Sequence, residues 1–102
     1  MKLDILNRLV LLNVLPKEGN IMTLKIVRKL REELSFSEEE HKELNFQESD
    51  GKLAWDMAAN GDKEIEIGEK ASNVIVEALK ELDRNKKLHE EHLPIWEMFI
   101  ED

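Results

Sequence analysis

The stretch that most constrains the fold is an apolar run near the N-terminus, residues 3–15, which reads LDILNRLVLLNVL. Nine of its thirteen residues are apolar, and neither glycine nor proline interrupts it. That composition and length favour a helix over a strand. Because a proline disfavours helical geometry in the residue before it, Pro16 predicts that the helix ends at residue 14 or 15.

The two halves of this helix differ in their faces. At the helical period Asp4, Asn7 and Arg8 share one face, whereas the second half is apolar nearly all round. A helix that is apolar on every side has to be covered on every side, either by the rest of the chain or by another copy. We expect the later elements to cover the first half, and a second copy, with a dimer as the first choice, to cover the end. The residues predicted for that interface are Leu11, Val14 and Leu15.

Length and composition indicate a small globular protein. The chain has 102 residues, which is enough for a single domain over 1–102 with a modest core. Its residues are 41% apolar and 37% charged, which is typical of soluble rather than disordered chains. It contains no cysteine, which excludes disulfides and thiolate metal sites and agrees with a cytoplasmic location. The apolar run is shorter than the roughly 20 residues that span a membrane, so no membrane partner is expected.

The net charge of −8 is unevenly distributed along the chain. Residues 1–31 carry a net charge of +5, residues 32–69 carry −10 and residues 70–102 carry −3. The overall acidity argues against non-specific binding to nucleic acid. The basic first third still allows a small site for a phosphate group or for an acidic protein.

Helical patterns follow the apolar run. A second helix is predicted to be capped by Asn20 or Thr23 and to end near Leu34. Ser37 and Glu40 form a capping box, which predicts a short acidic helix that starts at the next residue. The ranges predicted for this and the later helices are 38–44, 69–86 and 90–100. The apolar residues assigned to the core faces are Leu24, Val27, Leu30 and Leu34, then Ala71, Val74, Ile75, Ala78, Leu79 and Leu82, and finally Leu93, Trp96, Phe99 and Ile100.

Between residues 45 and 67 apolar residues alternate with polar ones, which is the period of a strand. Asp50-Gly51 and Asn60-Gly61 are hairpin-turn signals. We therefore predict short antiparallel strands over 45–48, 52–56 and 63–67. The expected fold class is α+β, with four or five helices packed on a small antiparallel sheet of two or three strands.

The basic residues of the second helix are the main candidate site. Lys25, Arg28 and Lys29 are spaced by three and four residues, which places them on one helix face, and Arg31 lies close by. These side chains can hold a phosphate, a nucleotide or the acidic surface of a partner. The interpretation that the pattern favours is structural: these side chains pair with Glu32, Glu33 or the acidic 38–43 helix of the same fold, because a charged helix face is usually just solvated. A helix-turn-helix that reads DNA sequence is excluded, because its second helix would be the acidic one and DNA would repel it.

The chain shows no recognised pattern for catalysis or for binding a metal. His89 and His92 are spaced by three residues, whereas the zinc-protease motif needs a spacing of four. No serine lies in a Gly-x-Ser-x-Gly elbow, and no glycine-rich phosphate loop is present. We therefore expect no enzyme activity, no metal and no cofactor. Trp55 and Trp96 are expected to be core or interface anchors.

Three segments resemble small uncharacterised phage and prophage proteins. They are LPKEGN at 15–20, TLKIVRKLRE at 23–32 and EIEIGEK at 64–70. The resemblance implies a small virus-encoded protein that works in the cytoplasm of a bacterial host. It carries no known catalytic or binding residues.

The function expected is a non-enzymatic protein-binding module that self-associates and acts on a host protein. One alternative is a small-ligand binder that sequesters an anionic metabolite or nucleotide signal through Lys25, Arg28 and Lys29. Another alternative is an acidic mimic of nucleic acid formed by residues 32–69, which would bind a basic host protein.

Overall fold

The computed structural model describes residues 1–55 and 63–101, and its longest dimension is 35 Å. Helices dominate and short strands lie between them, so the predicted α+β class is confirmed. The elements in chain order are β1 (Lys2–Leu3), α1 (Ile5–Val14), α2 (Ile21–Leu34), α3 (Glu38–Leu44), β2 (Gln47–Ser49), β3 (Lys52–Ala54), β4 (Lys63–Glu64), α4 (Glu69–Arg84) and α5 (Leu93–Trp96). A 3₁₀ turn, Glu90–His92, precedes α5, and a π-helical turn, Glu97–Glu101, follows it.

Local capping chemistry sets where the first two helices begin. The Asp4 carboxylate accepts a hydrogen bond from the backbone N–H of Asn7 at 2.7 Å, which starts α1. The Asn20 side chain accepts one from the backbone N–H of Thr23 at 2.8 Å, so Asn20 rather than Thr23 is the cap of α2. The predicted end of α1 is confirmed, since Leu15 has left the helical conformation with a ψ of 131°.

The predicted capping box of α3 is also confirmed. The Ser37 hydroxyl accepts a hydrogen bond from the Glu40 backbone N–H at 3.1 Å, and the Glu40 carboxylate accepts one from the Ser37 backbone N–H at 3.0 Å. Asn45 ends the helix in the left-handed conformation, with φ 48°, which asparagine tolerates better than most residues.

The strands form two separate pairs. β2 and β3 make the predicted antiparallel hairpin. Its two turn residues, Asp50 and Gly51, both have positive φ, as a type I′ turn requires. β4 does not join them but pairs antiparallel with β1, which places Lys2 opposite Glu64. The predicted antiparallel sheet of two or three strands is therefore confirmed with two strands, β2 and β3. The predicted third strand pairs instead with residues 2–3, which the sequence had not assigned to a strand. The second predicted turn, Asn60-Gly61, lies outside the described residues.

The main core lies between helices rather than between helices and a sheet. α1 packs against α2, α4 and α5, and α2 packs against α4. The predicted core face of α4 is confirmed, since Ile75 and Leu79 are fully buried and its other members pack against the core. Leu3 and Ile65, at the paired strands, are buried in the same cluster. The other buried residues of the cluster are Val10, Leu11, Val14, Leu15, Val27, Leu30, Leu34, Ile75, Leu79 and Ile95.

Two leucines assigned to core faces lie at the surface instead. Leu24 is 37% exposed and Leu93 is 54% exposed, whereas Ile95 is fully buried. Near the C-terminus the 3₁₀ and π-helical turns change the angle between successive side chains, so a wheel drawn at the α-helical period misplaces Leu93. On α2 the core contact is narrower than the apolar stripe of the sequence, which leaves Leu24 outside it.

The end of α1 is covered within a single chain. Leu11, Val14 and Leu15 are 0%, 7% and 3% exposed, because the other helices pack around them. This corrects the expectation that these three side chains form a surface for a second copy. In contrast, Leu6 on the same helix is 43% exposed. No helix in the described ranges is long and apolar enough to cross a membrane.

Candidate interaction surface

The side of α2 that faces away from the core forms an exposed surface with two parts. Its first turn is apolar, with Ile21 69% exposed, Met22 56% exposed and Leu24 37% exposed. The turns that follow carry the predicted basic residues, which are all exposed. We call this surface the α2 outer face. Its residues are Ile21, Met22, Leu24, Lys25, Arg28, Lys29 and Arg31, together with the exposed carboxylate of Glu32.

The four basic side chains of the α2 outer face keep their charge exposed to solvent. In residues 1–55 and 63–101, none of them lies within 4.0 Å of a carboxylate. The acidic helix α3 is instead bound through Glu40 to Arg8 and, at 4.0 Å, to Lys63. Internal pairing of the basic cluster, the interpretation that the sequence pattern favoured, is therefore not observed among the described residues.

A groove of about 510 Å³ lies between α2 and the start of α4. Among the described residues that line it, Lys29 is the one member of the α2 outer face. The carboxylates of Glu33, Glu66 and Glu69 line the same groove and outnumber the ammonium groups of Lys29 and Lys70. The groove therefore has an acidic balance, which disfavours an anionic ligand.

Arg8 is the charged residue whose environment the sequence analysis predicted wrongly. The helical wheel grouped it on a polar face, yet its side chain is fully buried. The guanidinium donates hydrogen bonds to the carbonyl oxygens of Leu34 at 3.1 Å and Ser35 at 2.7 Å. It also donates to the Glu40 carboxylate at 2.5 Å, and it lies 3.9 Å from the centre of the Phe36 ring. Burial is tolerated because each of these partners compensates the charge or satisfies an N–H group.

The Arg8 guanidinium also changes the titration of its partner. Its hydrogen bond to Glu40, assisted by the Ser37 backbone N–H and opposed by partial burial, lowers the pKa of Glu40 from 4.5 to about 2. A carboxyl group whose pKa is lower in the folded state stabilises the fold above its unfolded-state pKa. That stabilisation is lost as the pH falls from 4.5 towards 2.

Glu40→Gln is expected to lower the free energy of unfolding by about 1–3 kcal/mol near neutral pH. Glutamine keeps an acceptor for the capping box, so the substitution mainly removes the charge that faces Arg8. The difference between the native protein and the variant is expected to shrink as the pH falls from 4.5 towards 2. Thermal unfolding followed by circular dichroism at a series of pH values measures it. A difference that stays constant over this range would contradict the assignment.

Aromatic side chains gather around α3. The Phe46 ring centre lies 5.1 Å from that of Phe36, 5.4 Å from that of His41 and 6.2 Å from that of Trp55, each with an edge-to-face orientation. These rings are half-buried, except that of His41, which is exposed. We call them the aromatic patch. Trp55 thus belongs to a surface cluster, whereas Trp96 packs against the main core.

The two histidines near the C-terminus support a turn. The backbone N–H of His89 donates to Nδ1 of His92 at 2.8 Å, and the His92 side chain is 8% exposed. This bond caps the 3₁₀ turn that leads into α5. Among the described residues no group of three or more histidine, aspartate or glutamate side chains is placed to hold a metal ion.

Comparisons of this chain with family models, curated proteins and solved structures gave no significant match.

Proposed function

We propose that this protein is a non-enzymatic protein-binding module that self-associates through the α2 outer face. The observation that carries the proposal is the exposed apolar first turn, Ile21, Met22 and Leu24, next to four exposed basic residues. Exposed apolar side chains that are grouped, rather than scattered, are characteristic of interaction sites. A face of this kind buries its apolar residues against another protein and uses its charges to orient that partner.

The apolar turn is the main source of affinity in this proposal. Burying one isoleucine, leucine or methionine side chain contributes about 1.5–3 kcal/mol. Ile21 and Met22 are each more than half exposed, so most of that contribution remains for an interface. Ion pairs at a protein surface contribute about 0–1 kcal/mol each. The basic residues are therefore expected to determine specificity and association rate more than affinity.

The other functions expected from the sequence receive less support. The groove beside Lys29 has an acidic balance, which disfavours capture of an anionic metabolite. Within the acidic segment Glu40 is bound to Arg8, so part of the charge that a nucleic-acid mimic would need is neutralised inside the chain. The competing partner for the α2 outer face is a bacterial host protein, as the resemblance to phage proteins suggests. The basic residues of α2 would select an acidic surface on that protein.

Ile21→Ser is expected to weaken self-association by about tenfold to hundredfold, because it removes the most exposed apolar side chain of the α2 outer face. Sedimentation velocity across a wide range of protein concentrations measures the dimerisation constant. The native side chain is 69% exposed, so the free energy of unfolding is expected to change by less than about 0.5 kcal/mol. Urea unfolding at low protein concentration checks that the fold is retained.

Leu93→Ser is the matched control. Leu93 is also a large exposed apolar residue, at 54%, but it lies on α5, outside the α2 outer face. Its substitution is expected to leave the dimerisation constant unchanged. A native protein that sediments as a monomer at every concentration would overturn self-association. If Ile21→Ser and Leu93→Ser weakened dimerisation equally, the α2 outer face could no longer be assigned as the interface.

A further inference from the structure

The chain carries a second surface whose chemistry complements that of the α2 outer face. On α3 the Glu40 carboxylate turns inward to Arg8, while its neighbours face solvent. The aromatic patch flanks the helix, since Phe36 precedes it and Phe46 follows it. The α3 surface thus carries carboxylates on a helix that aromatic rings flank at both ends. The α2 outer face instead carries cations next to aliphatic side chains. The exposed carboxylates of α3 are Glu38, Glu39 and Glu43, and they outnumber the exposed ammonium group of Lys42 on the same helix.

These two complementary surfaces do not pair within one chain. Across the described residues no carboxylate of α3 lies within 4.0 Å of a cation of the α2 outer face. The Arg8–Glu40 pair binds α3 to α1 instead. In a single copy both surfaces therefore remain charged and solvated.

A second copy of the chain offers an α3 surface to the α2 outer face of the first copy, and an α2 outer face to its α3 surface. If α2 packed against α2 of another copy, the four basic side chains of each face would meet four of the other, with only Glu32 of each copy to offset them, which is unfavourable. If α2 packs against α3 of another copy, opposite charges meet and aromatic rings cover the apolar turn. Each copy carries both surfaces, so a two-fold axis between two copies would form the contact twice.

We propose that the protein forms a closed dimer in which the α2 outer face of each copy binds the α3 surface and aromatic patch of the other. This inference rests on the proposed function and names the partner surface for it. Since the contact depends on opposite charges at the protein surface, added salt is expected to weaken the dimer.

Arg28→Glu and Glu43→Lys test the contact from its two sides. Each single substitution places like charges in both contacts of the homodimer and is expected to weaken it by at least about tenfold. Both native side chains are exposed. Glu43 lies in the last turn of α3, where a cation also suits the helix dipole, so this variant is expected to fold. Thermal unfolding shows whether both variants are folded. If Arg28→Glu is not folded, Lys25→Glu replaces it as the charge reversal on α2.

Mixing the two single variants gives the sharpest test. In a mixed dimer one contact joins the two substituted positions, which now attract each other with reversed signs. The other contact joins native Arg28 to native Glu43. Native mass spectrometry is therefore expected to detect a heterodimer with close to the native affinity, while each variant alone dimerises at least about tenfold more weakly. Lys80→Glu, at an exposed position of α4, is the control and is expected to dimerise as the native protein does.

The possible outcomes separate this inference from the proposed function. If the mixture yields no heterodimer, or if either single substitution leaves the dimer as tight as the native one, α3 is not the partner surface and the inference fails. If the native protein nevertheless dimerises and Ile21→Ser weakens that dimer, the proposed self-association through the α2 outer face still holds. If the native protein is monomeric at every concentration, both fail.

Discussion

Leu11→Arg is expected to unfold the protein. The Leu11 side chain is fully buried within the cluster that joins α1 to the other helices. An arginine there would overpack the core and would place a charge in apolar surroundings, which costs several kcal/mol. Since a small domain is stable by only about 5–15 kcal/mol, that cost removes most or all of its stability. Loss of the cooperative thermal transition, followed by circular dichroism, is the expected result.

Leu6→Arg is the control for this experiment. It makes the same substitution on the same helix, at a side chain that is 43% exposed. An arginine at that position can extend into water, so the free energy of unfolding is expected to change by less than about 1 kcal/mol. If Leu11→Arg instead stayed folded and only dissociated a dimer, the end of α1 would be an interface after all. That result would also contradict the burial of Leu11.

Arg8→Met is expected to lower the free energy of unfolding by about 3–5 kcal/mol. Methionine keeps much of the length of the side chain but provides no donor. The buried hydrogen bond to the Leu34 carbonyl is lost, as is the bond to the Ser35 carbonyl. The Glu40 carboxylate also loses its closest cation. The effect is expected to exceed that of Glu40→Gln, which leaves the two carbonyl contacts in place. Urea unfolding measures both variants.

Arg84→Met is the matched control for Arg8→Met. Arg84 also forms a salt bridge, with Glu81, but the two side chains are 67% and 59% exposed. Exposed ion pairs of this kind contribute about 0–1 kcal/mol. A loss of stability at Arg8 no larger than the loss at Arg84 would show that the buried guanidinium is not needed for the fold.

The helix ends were predictable because their causes are local. Asn20 and Ser37 cap α2 and α3 through hydrogen bonds that reach only three residues along the chain. The Asp50-Gly51 turn and the end of α1 before proline are equally local. In each instance the residue type limits the backbone conformation directly, so a short window of sequence contains the necessary information.

Contacts between distant parts of the chain were not predictable in the same way. Arg8 reaches a carboxylate 32 residues away, and no local pattern distinguishes it from an arginine on a solvated face. The pairing of Lys2 with Glu64 likewise depends on how the helices bring the two strands together. A charged residue within an otherwise apolar helix is the signal that could have indicated an inward partner, since burial of a charge requires one.

The candidate surface was predicted in part. The spacing of Lys25, Arg28 and Lys29 correctly placed them on one face of α2. The exposed apolar turn beside them was not predicted. The helical wheel assigned Leu24, which belongs to that turn, to the face that packs on the core. How wide a stripe the neighbouring helices cover depends on their packing, which the sequence of α2 alone does not contain.

The inward guanidinium of Arg8 bears on the orientation of α1. The second half of α1 is apolar nearly all round and would bury a similar area in several rotations about the helix axis, so the hydrophobic effect alone does not choose among them there. A rotation by one residue, about 100°, would take Arg8 away from Leu34, Ser35 and Glu40 and leave its charge without partners. The buried contacts of Arg8 therefore favour one rotation of the helix around which the chain is built.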